Sequence, residues 1–149
     1  MTDPLLKYRE QHKHRLNYMP WLYWSLKPKH REWAEQWQAE YQAYLMEMET
    51  VEIGKNCFIS PLAHIFAERG RKISIGDNTF IAADCTLHGP LQIGNEVAIN
   101  HHCILDGGRA GIKLHDQVRI AAYSHLYAFD HGMDLERPIY QQAVTSKGI

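Results

Sequence analysis

Residues 73–105, ISIGDNTFIAADCTLHGPLQIGNEVAINHHCIL, place an aliphatic side chain at every sixth position without interruption: Ile75, Ile81, Leu87, Ile93, Ile99 and Leu105. Strict alternation would mark an ordinary strand and a 3.6-residue period a helix, and this spacing is neither. It fits a short strand plus a corner, three of which close a triangular coil of about 18 residues. Coils of this kind stack at the inter-strand spacing of about 4.8 Å, so each backbone pairs with the coils above and below.

With two breaks, the same series extends outward to Ile53, Ile59 and Ile65 before the stretch, and to Leu114, Ile120 and Leu126 after it. Two places before each of these stands a small or β-branched residue, such as Val51, Cys57, Thr79 or Cys103, with Leu91 the exception. The large aliphatic residue is expected to fill the interior and the smaller one to lie near the corner. The breaks, Phe66 to Arg71 and Gly107 to Gly111, are expected to be loops after the third face of a coil. Gly54, Gly76 and Gly94 follow aliphatic positions, and glycine and asparagine tolerate the turn conformations a corner needs. The expected fold is mainly β: a parallel β-helix of about four coils over residues 51–149. Its coils begin near residues 51, 73, 91 and 112, and a C-terminal loop runs from about 128, where the hexads stop. Cys85 and Cys103 are expected to stack in consecutive coils as reduced fillers of small slots.

Residues 1–50 read differently, as a helical segment. Asp3 and Pro4 make a cap and first turn for a short helix that Asn17 to Pro20 breaks. Pro28 opens a second helix, in which Trp33, Trp37, Tyr41, Tyr44, Leu45 and Met48 recur at helical spacing as one apolar stripe. The cluster Trp21-Leu22-Tyr23-Trp24 is read as packing on the main domain or a neighbouring subunit, with contact to a membrane surface as the other reading.

The 149 residues bound one domain with a helical appendage, and an apolar content of 45% allows a real core. Sixteen basic against 17 acidic side chains, with no Lys/Arg run, argue against nucleic acid as a partner. Three irregularly placed Cys form neither a disulfide framework nor a CxxC zinc pair. The N-terminus lacks the apolar core of a signal peptide, and no apolar stretch is long enough to span a bilayer, so the expected compartment is the cytoplasm.

The segment Ile99-Asn100-His101-His102-Cys103-Ile104-Leu105-Asp106, followed by Asp130-His131, resembles the hexapeptide-repeat acyltransferases, particularly the maltose and galactoside O-acetyltransferase group. The similarity covers roughly residues 51–149. It implies a left-handed β-helix, a homotrimer, acetyl-CoA as acyl donor, no metal, and an active site in the groove between adjacent β-helices. Carried over by match, His131 takes the position of the catalytic base, Asn100 that of an acceptor-site amide, and Asp106 an acidic position in the same groove. Tyr127, Phe129 and Met133 are candidates for an apolar wall around the acceptor. The implied reaction is transfer of an acetyl group to a hydroxyl of a sugar-like or other small acceptor, an amine being the less favoured alternative. The family usually has His-Pro where this chain has His131-Gly132. Residues 1–50 do not match the family's sugar-site helices, so the acceptor and the CoA-contacting residues are left unassigned. Relatives continue past the position of Ile149 into further coils, so the chain is read as truncated there.

On the residues alone, each candidate carries a second reading. His131 lies where the register is lost, and an imidazole changes protonation near neutral pH, as a general base requires; the other reading is a surface loop histidine. Asn100 reads equally as an asparagine stacking at a corner, and Asp106 as an acid at a loop entrance. Two other functions stand beside the acyltransferase. One is a metal enzyme similar to the γ-class carbonic anhydrases, using His88 and His125, although Asp130 stands where that family has its next histidine. The other is a non-catalytic trimeric assembly module.

Overall fold

A computed structural model describes residues 4–149, so Asp3, the expected helix cap, lies outside the described residues. The chain builds four coils of three short strands. The first holds β1 (Val51–Ile53), β2 (Phe58–Ile59) and β3 (His64–Phe66); the second β4 (Ile73–Ile75), β5 (Phe80–Ile81) and β6 (Thr86–His88). The third holds β7 (Leu91–Ile93), β8 (Ala98–Ile99) and β9 (Ile104–Asp106); the fourth β10 (Ile112–Leu114), β11 (Arg119–Ile120) and β12 (His125–Tyr127). Corresponding strands pair in parallel, giving three four-stranded faces: β1-β4-β7-β10, β2-β5-β8-β11 and β3-β6-β9-β12. The fold is a parallel β-solenoid of four turns behind a helical segment.

The hexad series supplies the register. Ile53, Ile75, Ile93 and Leu114 stand above one another, as do Ile59, Ile81, Ile99 and Ile120, and Ile65, Leu87, Leu105 and Leu126. These columns and the residues two places earlier make the central core. Several of those earlier positions also donate hydrogen bonds between coils. Cys57 Sγ donates to Gly76 O at 3.0 Å, Thr79 Oγ1 to Gly94 O at 2.9 Å, Cys85 Sγ to Asn100 O at 3.0 Å and Cys103 Sγ to Ala121 O at 3.0 Å. A short side chain with a donor fits a slot beside a backbone carbonyl of the following coil. All three cysteines are buried thiols, and burial pushes the Cys57 thiol above its usual range.

The glycines after the aliphatic positions differ from expectation in their reason. The left-handed backbone falls two residues later, at Asn56, Asn78, Glu96 and Gln117. Gly76 is required by close approach: a Cβ there would meet the backbone carbon of Gly94 at 2.6 Å, and one on Gly54 would meet Gly76 C at 2.7 Å. The next coil presses on these positions because Asp77, Asn95 and Asp116 each reach back one coil. Their Oδ1 atoms accept from the backbone N–H of Lys55, Asp77 and Asn95, each at 2.7 Å.

The helical segment comprises α1 (Pro4–Tyr18), a 3-10 turn (Pro20–Ser25) and α2 (Pro28–Met48). Leu16, Tyr23 and Ala34 bury themselves against Phe58, Phe80 and Ala98, the outward side chains of the second face, with Trp24 and Trp37 packed alongside. The aromatic cluster 21–24 therefore lies against the solenoid. Tyr41 and Leu45 of α2 join the central core at the first coil. The expected stripe on α2 is corrected here: Tyr44 and Met48 are exposed, and the inward face runs through Ala34, Gln38, Tyr41 and Leu45. Gln38 is 2% exposed and treats β2 as a strand would, accepting from Ile59 N–H at 2.8 Å and donating to Ile59 O at 3.1 Å. Hydrophobic spacing alone favours Tyr44 over a glutamine, but the outer edge of the first coil needs a polar partner.

At the opposite end, Val118, Ile120 and Leu126 are only partly buried, whereas Ile99 and Leu105 one coil earlier are fully enclosed. Beyond β12 the chain forms β13 (Asp130–His131), a 3-10 turn (Ile139–Gln141) and β14 (Val144–Thr145), which pairs antiparallel with β13. Among the described residues no helix is long and apolar enough to cross a membrane.

Candidate active site

Extended backbone puts every second side chain on the same side. From β12 into β13 this aligns His125, Tyr127, Phe129 and His131, with successive ring centroids 6.4, 5.7 and 6.1 Å apart and the rings edge to face. Three of the sequence candidates, Tyr127, Phe129 and His131, thus form one row that starts on the third face and runs off it into β13. His131 ends it, exposed to solvent, on a strand whose register pairs it with Val144.

Two polar anchors hold this hairpin. Gln142 Oε1 accepts from Asp134 N–H at 2.8 Å, and its Nε2 donates to Asp134 O at 2.8 Å and Arg137 O at 2.7 Å. Its side chain lies over Gly132, where an added Cβ would approach Gln142 Cβ to 2.8 Å. A glycine after His131 is what lets this clamp close. Ser146 Oγ accepts from Arg109 N–H at 3.1 Å and Ala110 N–H at 3.0 Å and donates to Ala128 O, tying the return strand to the loop between the third and fourth coils.

Asp106 stands beside Tyr127 in the register, with His88 on its other side and Phe66 beyond. Its Oδ1 accepts from Gly108 N–H at 3.0 Å and lies 3.7 Å from Arg71 Nη2, while Oδ2 lies 3.5 Å from His88 Nδ1. The other ring nitrogen of His88 is 2.9 Å from Glu68 Oε1, which in turn lies 3.4 Å from Arg71 Nε. The His88 hydrogen bond holds the Glu68 carboxyl below its usual range. Asp106 therefore turns the loop entrance and braces an Arg71–Glu68–His88 network. That network was not singled out from sequence. The register carried the signal, since His88 lies one uninterrupted coil before Asp106.

Asn100 is elsewhere. Its Nδ2 donates to Ile120 O at 2.8 Å, a corner contact to the next coil. It also borders a cleft of about 510 Å³ between Trp21, Trp24 and the second face, with Phe80, Glu96 and Arg119. Among the described residues no hydrogen bond or ion pair joins Asn100 to His131. Met133 is 85% exposed.

A second group missed in the sequence lies at the corner between the second and third faces. Tyr18 Oη donates to Asp84 Oδ2 at 2.9 Å, raising the Tyr18 pKa, and His102 Nε2 lies 3.4 Å from the same oxygen. His101 and His102 bring their Nδ1 atoms to 2.9 Å, and His102 stacks on Tyr123 at 4.7 Å. Asp84, His102 and Tyr123 all have left-handed backbone, which the sequence did not reveal for such side chains. Among the described residues, no group of three or more His, Cys, Asp or Glu is placed to hold a metal ion. His88 and His125, the pair of the metal-enzyme reading, occupy different columns, His88 with Asp106 and His125 with Ile104.

An exposed imidazole at the end of an aromatic row is able to accept a proton from a bound nucleophile while the rings flank its apolar parts. Comparison with known proteins adds chemistry to that geometry. No family model matches the chain. Over 55 residues it is 36% identical to dTDP-4-amino-4,6-dideoxy-D-glucose acyltransferase of Escherichia coli, a match covering 36% of this chain and 29% of that protein. Its structure is similar to that of a point variant of AntD, an N-acyltransferase from Bacillus cereus solved in complex with dTDP and coenzyme A. The TM-score is 0.59 and the identity 27%, over 72% of this chain and 59% of the other. The chain thus spans less than a third of the curated relative and about three-fifths of the solved one, and both proteins it is similar to are acyltransferases by name.

Proposed function

We propose that the protein is a hexapeptide-repeat acyltransferase that moves an acyl group from a coenzyme A thioester to a hydroxyl or amino group of a sugar-like acceptor, with His131 as general base. The observation that carries this reading is the row Tyr127–Phe129–His131, which ends in an exposed imidazole on a doubly anchored hairpin. The likeness to two acyltransferases, one solved with coenzyme A, supplies the donor class. The sequence resemblance favours a hydroxyl acceptor, and the names of the two similar proteins favour an amine. The two share their chemistry. The acceptor's lone pair attacks the thioester carbonyl as His131 removes its proton; the carbon–sulfur bond then breaks, and the proton passes to the departing thiolate. A homotrimer, with the groove completed by a neighbouring copy, is part of the proposal.

Release of free thiol from acetyl-CoA, followed with sugars and amino sugars as separate acceptors, tests the assignment. His131→Ala should lower kcat/KM by about 10²–10⁴ while leaving the thermal unfolding curve in place. Full turnover in that variant would remove His131 from the chemistry, and thiol release with neither acceptor class would remove the activity. Light-scattering mass in solution checks the trimer.

A further inference from the structure

The segment 4–31 carries Lys7, Arg9, Lys13, Arg15, Lys27, Lys29 and Arg31 against one acid, Glu10, although the whole chain is nearly neutral. Two of these cations are matched: Lys13 pairs with Glu10 at 3.1 Å and Arg31 with Glu35 at 2.6 Å. Arg15, Lys27 and Lys29 have no ion pair among the described residues. They come from three elements, α1, the connection after the 3-10 turn and α2, and border one cleft of about 430 Å³. His12 and His30 complete its polar wall, their ring centroids 4.3 Å apart, over an apolar floor of Leu16, Leu22 and Leu26. An adjoining recess of about 520 Å³ shares His12, Lys29 and His30 and adds Arg9, whose guanidinium lies 5.6 Å from the centre of the Trp33 ring. Among the described residues no carboxylate lines either space.

We propose that this cleft between α1 and the start of α2 is a binding site for the phosphate or diphosphate group of a small ligand, separate from the His131 row. Three unmatched cations around one space repel each other, and a multiply charged oxyanion relieves that repulsion while accepting several hydrogen bonds. The polar lining is rich in donors. Trp33 Nε1 donates to His30 Nδ1 at 3.4 Å, which leaves the other ring nitrogen of His30 to carry a proton toward a ligand. The first turn of α2 contains no acidic residue and no side-chain cap, so the positive end of that helix adds to the field. His12 already reports the field: burial, then His30, Arg15 and Lys29, hold its pKa below the usual value. The apolar floor suits the organic part of such a ligand, and the volume lies within the range of small-molecule sites.

Inorganic pyrophosphate is the probe, read by the NMR signals of the His12 and His30 rings, whose facing charges are Arg9 and Arg15 on α1, Lys27 on the connection and Lys29 on α2. Saturable movement of both rings at submillimolar pyrophosphate, with the His12 titration moving to higher pH, is the expected result. In an Arg15→Gln/Lys29→Gln variant with an unchanged circular dichroism spectrum, the affinity should fall at least tenfold. Adenosine diphosphate should bind more tightly than pyrophosphate, and adenosine should leave the rings unmoved. Rings that stay still, or that move equally in protein and variant, overturn the site. So does co-sedimentation with phosphatidylserine vesicles without any response to pyrophosphate, which would assign the cations to a lipid surface.

Discussion

At the scale of single residues, the solenoid depends on side chains that are small or that donate between coils as well as on its large aliphatic ones. Gly76→Ala should destabilise the protein by about 2–4 kcal/mol, measured by denaturant unfolding, because its Cβ would press on Gly94 backbone and the Asn95 amide that bonds Asp77 N–H. Tyr23 gives a prediction in pH. Its burial pushes the phenol up to about 12, so the folded state keeps a proton that the unfolded chain releases near 10. That contribution is complete below pH 10 and is lost as pH rises from 10 toward 12, a decline on the order of 2 kcal/mol. Tyr41 is shifted the same way by burial, so Tyr23→Phe should shrink the alkaline fall in melting temperature and leave part of it. Glycine's place in the sequence was legible here, but its reason was not, because the pressure on Gly76 comes from a residue one coil away.

Among the elements, α2 is the one whose meaning changed most between sequence and structure. Its bounds follow from Pro28, but helical periodicity favoured Tyr44 and Met48, and the buried contact is made by Gln38. A primary amide carries a donor and an acceptor side by side, as a strand residue does, and the outer edge of β2 offers the matching pair at Ile59. Gln38→Leu keeps the volume and leaves both groups of Ile59 without that partner. The expected loss is about 3 kcal/mol in urea unfolding, larger than for the exposed Tyr44→Ala. The strands were easier to read. Twelve aliphatic positions form three columns because the period of six counts corners as well as strands. The hairpin of β13 and β14 had no such period. Its bonds, from Asp134 N–H to Gln142 and from Arg109 N–H to Ser146, join residues that the hexad register does not relate.

For the molecule as a whole, the two ends of the stack are unlike. Helix covers the first coil, whereas the fourth leaves Ile120 and Leu126 partly open. Leu105→Ala should therefore cost about 3–4 kcal/mol and Leu126→Ala less than half of that, compared by denaturant unfolding. Of the candidate residues, Tyr127, Phe129 and His131 fall into one row, which the sequence did not disclose, because it predicts a loop from about 128 and the strand β13 carries no hexad. The sequence left Asn100 on another face and did not disclose Arg71, in the break between the first and second coils, as a partner of Asp106, although the register does align His88 with Asp106. The reach of Asp77, Asn95 and Asp116 has one direction: each completes the corner of the coil made before it. A ribosome delivers the coils in that same order. Each newly emerged turn is thus expected to finish its predecessor, so that the growing chain would lock from behind like a ratchet, every tooth engaged by the one that follows.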